Sequence, residues 1–151
     1  KARGVIAGLS GNHSRGDIYR AVLEGIALEQ VMMTDGVAAA TQAIDHIVVM
    51  GGGAQSDFWC QIVADAGSRD VRRLETVEAS SLGAAMAAAK GAGWFKNIPA
   101  ASESMSGKPS RTFRPRAREN KAYRELLAVY RDLWPTLSQW NARLQAISGD
   151  T

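Results

Sequence analysis

A layered α/β fold with a mostly parallel sheet is what this sequence predicts. Two observations carry the prediction. Short apolar runs suited to strands alternate with longer stretches at helical spacing. And the row His46-Ile47-Val48-Val49-Met50 runs straight into Gly51-Gly52-Gly53-Ala54-Gln55-Ser56-Asp57. An unbroken apolar row suits a strand buried on both faces, and the glycines after it let the backbone turn sharply and approach a ligand without a Cβ in the way.

The elements follow in order. Val5-Ile6-Ala7-Gly8-Leu9 reads as a strand or strand end, and the polar turn Ser10-Gly11-Asn12-His13 comes next. Ser14 and Asp17 have the spacing of a capping box, so a long helix is expected from there. Its apolar stripe is Ile18, Ala21, Val22, Gly25, Ile26, Met32 and Met33, and it fades near Gly36 or Ala40. A strand over 44–50 leads to the glycine turn, and Ser56 is placed to cap a helix over 57–66 with Phe58, Ile62, Val63 and Ala66 on its apolar face. Gly67 supplies its stop. A short strand over 71–74, a loop through Glu75, Thr76 and Val77, and a helix over 79–90 made largely of Ser, Gly and Ala complete the alternation. Gly91 and Gly93 end that helix, and Trp94-Phe95 are expected to fold back onto the core. Residues 99–115 are rich in Ser, Pro and basic residues and read as a surface connector. From Ala117 a helical stripe includes Tyr123, Leu127, Tyr130, Trp134 and Trp140, with Pro135 expected to kink or split it.

Composition bounds the function. At 151 residues, with 46% hydrophobic residues and a mean hydropathy of -0.16, the chain suits a single soluble domain. No apolar stretch is long enough to span a bilayer and no signal peptide is visible, which favours the cytoplasm and argues against a membrane partner. The chain lacks an initiator Met and begins as if within a longer protein. Cys60 is the single cysteine, which excludes an internal disulfide and a cysteine-cluster zinc site, and it reads as a buried thiol. The net charge of +3 hints at nucleic acid, but Arg111, Arg114, Arg116 and Arg118 lie without interleaved aromatics and read as a solvated segment.

The chemistry therefore centres on the glycine turn. A strand, a glycine turn and a capped helix aim backbone N–H groups and a helix N-terminus at one spot, where a phosphate is stabilised. Gly51, Gly52, Gly53, Ala54, Gln55, Ser56 and Asp57 are the candidate nucleotide-binding residues. No catalytic and no metal-ligating residue is assigned within the chain. His13 reads as a surface hydrogen-bonder, Arg20 and Glu24 as an ion pair one turn apart, and Asp65 and Asp70 as solvent-facing or turn-capping residues.

Three segments resemble the C-terminal domain of the FGGY carbohydrate kinases, the family of the xylulose, ribulose, glycerol and erythritol kinases. They are Arg3-Gly4-Val5-Ile6-Ala7-Gly8-Leu9-Ser10 with Arg20-Ala21-Val22-Leu23-Glu24-Gly25-Ile26-Ala27, then Gly51 to Trp59 with Gln61-Ile62-Val63-Ala64-Asp65, then Glu78-Ala79-Ser80-Ser81-Leu82-Gly83-Ala84-Ala85. The resemblance implies a ribonuclease-H-like domain of the actin and hexokinase superfamily, with extra C-terminal helices. Residues 1–98 would be the ATP-binding core, 99–116 a connector, and 117–151 helices packed on the same domain. It implies ATP and Mg²⁺ as cofactors and a small sugar or polyol as substrate, xylulose first. An N-terminal kinase domain in cis would hold the catalytic aspartate, so the chain alone would be inactive, and a homodimer is compatible. Gly52, Gly53 and Ala54 would then lie against phosphates and ribose, Asp57 near the adenosine, and the helix from Ala79 along the adenine side. Two rivals stand beside it. One is a dinucleotide-binding domain, since Gly51, Gly53 and Ser56 nearly match G-x-G-x-x-G and Glu75 follows at the ribose-acid distance. The other is a non-catalytic nucleotide-binding module.

Overall fold

The structure is a computed structural model, and it describes residues 4–75 and 78–148. The elements run α1 (Arg15–Ala40), β1 (His46–Val49), a 3₁₀ turn (Gly53–Gln55), α2 (Asp57–Gly67), β2 (Asp70–Leu74), α3 (Ala79–Gly91), α4 (Ile98–Met105), β3 (Pro109–Phe113), α5 (Ala117–Arg131) and α6 (Leu133–Ser148). Local chemistry sets the starts. Ser14 forms a full capping box with Asp17, its hydroxyl 2.7 Å and its N–H 2.8 Å from the carboxylate, and these bonds hold the Asp17 carboxyl below the usual carboxylate range. Ser56 accepts from the Trp59 N–H at 3.2 Å and starts α2. At the far end of α2 the left-handed residue is Ser68, with φ of 53°, one position past Gly67. The terminal stripe is divided at Asp132, and Pro135 falls in the first turn of α6, where its missing N–H costs nothing.

The sheet has the order β1-β2-β3 and is mixed. β1 pairs parallel to β2, with His46 opposite Asp70, while β3 returns antiparallel on β2, with Val71 opposite Phe113 and a bulge at Arg73/Leu74. Helix α2 is the hub of the packing, touching α1, α5, β2 and β3. The core is Ala27, Leu28 and Val31 of α1, Cys60, Ile62, Val63, Ala64 and Ala66 of α2, Val71, Phe113, Tyr123 and Leu127. Each large apolar side chain buried there contributes about 1.5–3 kcal/mol against the entropy of ordering it.

Several expectations change. Residues 5–9 are not a strand: Ile6 and Leu9 stay half-exposed, because a strand needs a partner and none of the described residues pairs with them. β1 is an edge strand rather than one buried on both faces, with Val48 45% exposed. α1 turns Ala27, Leu28 and Val31 inward and leaves Val22, Ile26 and Met33 exposed. It is apolar on both sides, so periodicity alone could not choose the face. Phe58 is likewise exposed, and Trp94 projects into solvent at 78% exposure instead of folding back.

The connector is also ordered structure. Asn97 caps α4 through the Ala100 N–H at 2.9 Å with Pro99 in the first turn, and β3 adds its edge to β2. Pro99, which suggested a loop, is helix-start chemistry here, while Ser102 and Ser104 lie within the helix. Nor is the arginine cluster uniformly solvated. Arg111 pairs with Asp57, and Arg116 donates to Asp65, a fully buried carboxylate that was expected to face solvent or cap a turn. The loop through Thr76 and Val77, and the Arg3 that opens the first matching segment, lie outside the described residues.

Candidate functional site

Because β1 and β2 are parallel, their C-terminal ends fall at one end of the sheet, and the glycine turn leaves β1 at that end. Gly51 leaves β1 with φ of +91°, a conformation an L-residue adopts only under strain. A 3₁₀ turn follows. Ala54, Gln55 and Ser56 donate to the carbonyls of Gly51, Gly52 and Gly53 at 3.2, 3.1 and 3.2 Å. Those N–H groups are spent within the turn, so the donors left to face a ligand are the N–H groups of Gly52 and Gly53, with no partner among the described residues. A Cβ at Gly51 or Gly52 would meet nothing within 4 Å, so open space lies over the backbone there. At Gly53 a Cβ would reach only ordinary contact with the Trp59 indole, and φ is not positive, so the conformational need for glycine lies at Gly51.

Of the predicted site residues, Gly52, Gly53, Gln55, Ser56 and Asp57 are exposed, Gly51 is half-buried and Ala54 is buried beneath the turn. Ser56 spends its hydroxyl on the helix cap. Asp57 is occupied in a different way: its Oδ1 accepts from Arg73 Nη1 at 2.9 Å and its Oδ2 from Arg111 Nη1. The same Arg73 Nη1 reaches the carbonyls of Ala54 at 3.1 Å and Gln55 at 3.3 Å. The Phe113 ring lies under both guanidiniums, 5.5 Å from Arg73 and 4.9 Å from Arg111. Below the turn, the Cys60 thiol donates to the Ala54 carbonyl at 3.3 Å, and burial pushes its pKa up, as a structural thiol requires. Sequence reasoning missed Arg73, Arg111 and Phe113. The one available signal was the charged pair Arg72-Arg73 inside a short strand, where alternation forces one arginine toward each face.

Elsewhere, His13 accepts at Nδ1 from the Ser10 N–H at 2.8 Å on the exposed turn, as expected. Arg20 and Glu24 pair at 2.7 Å, and Tyr123 of α5 donates to the same Glu24 oxygen at 2.7 Å. The Glu24 bond raises the Arg20 pKa, and burial with the Glu24 bond pushes Tyr123 up to about 12. A cleft of about 580 Å³ opens at the opposite end of the sheet, lined among others by Asp35, Gly67, Arg69 and Arg131. There Asp35 is shared by Arg69 at 2.9 Å and Arg131 at 3.1 Å. Among the described residues no three His, Cys, Asp or Glu side chains group to hold a metal.

The C-terminal-domain profile of the FGGY family of carbohydrate kinases matches residues 1–92. The chain belongs to that family. The xylulose kinase of Staphylococcus epidermidis RP62A is 35% identical over 97% of the chain, and that of Bacillus subtilis 31% over 95%. The glycerol kinase of Corynebacterium glutamicum is 42% identical over 63% of the chain. The crystal structure of a xylulose kinase from Rhodospirillum rubrum superposes with a TM-score of 0.80 at 28% identity, covering 93% of this chain and 28% of that one. The chain spans about 29% of the length of each of the two xylulose kinase relatives. The ribonuclease-H-like fold expected from the motifs is thus the fold observed, mostly helical with a small mixed sheet. The dinucleotide-binding reading is set aside on family membership. No helix among the described residues is long and apolar enough to cross a membrane.

Proposed function

We propose that this FGGY domain is the ATP-binding half of a sugar kinase that moves the γ-phosphoryl of ATP to a hydroxyl of a small ketose or polyol, with xylulose the first candidate. One observation carries the reading: an exposed glycine turn at the end of the sheet keeps the Gly52 and Gly53 N–H groups free, with open space where Cβ atoms would stand. That cradle fits a phosphate, held by backbone donors and by the N-terminus of α2. The names of the relatives favour xylulose over glycerol or ribulose.

The glycine turn fits the phosphates of ATP, and Mg²⁺ would come with the nucleotide. The carboxylate nearest the turn, Asp57, already accepts from two guanidiniums, one on each oxygen. The same occupancy leaves Asp57 unsuited to take a proton from a sugar hydroxyl, which agrees with a catalytic base on an N-terminal domain in cis. Such a domain would also cover the apolar surface exposed on β1 and α1, Val48, Val22, Ile26 and Met33 among it. Phosphoryl transfer then rests on alignment and on closure that keeps water from the acceptor site. A cytoplasmic setting belongs to the same reading, supported by the single buried thiol.

Calorimetric titration of the chain with ATP and with NAD tests this. ATP binds and NAD does not; tighter binding of NAD would overturn it. A coupled assay of ADP release with xylulose, ribulose, glycerol and erythritol tests the division of labour. The chain alone is silent, and the chain joined to an N-terminal FGGY half turns over. Sugar-dependent ADP release by the chain alone would place the base within these residues.

A further inference from the structure

We propose that Arg73 is a positioning residue that locks the glycine turn into its nucleotide-accepting shape, and that Asp57 and Arg111 tie strand β3 to that lock. The inference rests on the nucleotide reading of the turn for its consequence, though not for its geometry. Arg73 is on β2, with its side chain 22% exposed, seated on the buried Phe113 ring. Its Nη1 donates at once to Ala54 O, Gln55 O and Asp57 Oδ1, so one guanidinium grips three successive parts of the segment joining turn to helix.

The effect on the free donors follows from peptide planarity. In a trans peptide the C=O of one residue and the N–H of the next point in opposite directions. Holding the Ala54 and Gln55 carbonyls on the β2 side therefore aims the Gln55 and Ser56 N–H groups the other way. There they close on the carbonyls of Gly52 and Gly53 at 3.1 and 3.2 Å. Fixing the Gly52 carbonyl in turn points the Gly53 N–H outward, and the Ala54 bond to the Gly51 carbonyl does the same for the Gly52 N–H. Three consecutive glycines cost more backbone entropy to order than any other residues, so the turn needs an external clamp to present both donors before a ligand arrives. The clamp is charge-assisted and set on a packed strand. Arg111 from β3 balances it from the other Asp57 oxygen, over the same aromatic ring.

The test compares the wild-type chain with Arg73→Met, which keeps the stem and removes every donor, and Arg73→Lys, whose ammonium keeps donors on a shorter reach. Amide hydrogen exchange is measured without nucleotide, and ATP affinity by calorimetry. In Arg73→Met the Gln55 and Ser56 amides exchange about tenfold faster and ATP affinity falls about tenfold, while the amides of α1 and α5 and the thermal midpoint hold. Arg73→Lys recovers part of both, which a merely bulky filler at this position would not produce. Unchanged turn exchange in Arg73→Met overturns the clamp. Faster turn exchange with unchanged ATP affinity overturns its consequence for binding. If Arg73→Met loses protection throughout, Arg73→Lys decides: turn exchange faster and ATP affinity weaker than wild type with an intact core support the clamp, and wild-type turn exchange and affinity overturn it. A wild-type chain that binds no ATP, with the exchange effect present, overturns the nucleotide reading and leaves the clamp standing.

Discussion

Two aspartates on α2, about two turns apart, show how burial assigns a role to the same pair of residue types. Asp57 at the first turn and Asp65 further on both face arginines that arrive from distant parts of the chain. Asp65 is wholly buried and accepts from the Arg116 N–H at 2.8 Å, Arg116 Nε at 3.1 Å and Nη2 at 2.6 Å, and Gln61 Nε2 at 3.0 Å. The Asp57 side chain is 50% exposed and holds two guanidiniums beside an open turn. In the buried pair each bond offsets desolvation, and the result is a fixed junction between α2 and the start of α5. In the exposed pair water screens the charges, so the arrangement adds little to stability and instead shapes the segment it touches.

Removing the buried member has the largest expected effect. Asp65→Ala strands the Arg116 N–H, while Gln61 Nε2 keeps the Arg114 carbonyl at 2.9 Å, and is expected to cost about 2–4 kcal/mol, discounted because Arg116 itself reaches solvent. Urea denaturation measures it, and a loss under about 1 kcal/mol would show that Asp65 is not the junction it looks to be. Tyr123→Phe removes the strut from α5 to Glu24 and is expected to cost about 1–2 kcal/mol by the same measurement.

Tyr123 also sets a pH window. Its folded pKa, pushed up to about 12, stands above the ordinary value of 10.0, so the native state favours the protonated phenol. That contribution is complete below pH 10 and is lost as pH rises through about 12. Wild-type stability should therefore fall across this interval more steeply than that of Tyr123→Phe; parallel curves would remove Tyr123 from the account.

At the open end, Gly51→Ala forces a side chain onto φ of +91° and is expected to cost about 1–2 kcal/mol while weakening ATP binding. Binding lost with no change in thermal midpoint would point to a steric rather than conformational need for glycine. The smallest effect belongs to Asp57→Asn, whose exposed pairs are worth no more than about 1 kcal/mol. A loss as large as that of Asp65→Ala would erase the contrast between the two aspartates.

What was legible in the sequence was local. The Ser14 to Asp17 box, the Ser56 cap and the Arg20 to Glu24 pair all close within one helical turn, where spacing dictates proximity. The family motifs likewise sit in contiguous runs, and they carried the fold. Asp65 was expected to face solvent or cap a turn because its partner Arg116 lies far along the chain, and nothing near Asp65 announces it. The same distance in sequence hid Arg73 and Arg111 from Asp57. The face of α1 was undecided for a different reason: a helix apolar on both sides has no amphipathic preference, and only the packing of α2 and α5 against Ala27, Leu28 and Val31 selects one.

By itself, then, the order of residues determined the helices, their caps, the glycine turn after β1 and the family to which they belong. These depend on backbone sterics and on hydrogen bonds that close within a few residues. Tertiary structure alone decided that residues 109–113 form an edge strand, that β3 runs antiparallel on β2, and that the arginines meet the aspartates of α2. Strand pairing and ion pairing acquire their energy from groups brought together across long loops, and that proximity exists only once the hydrophobic core around α2 has formed.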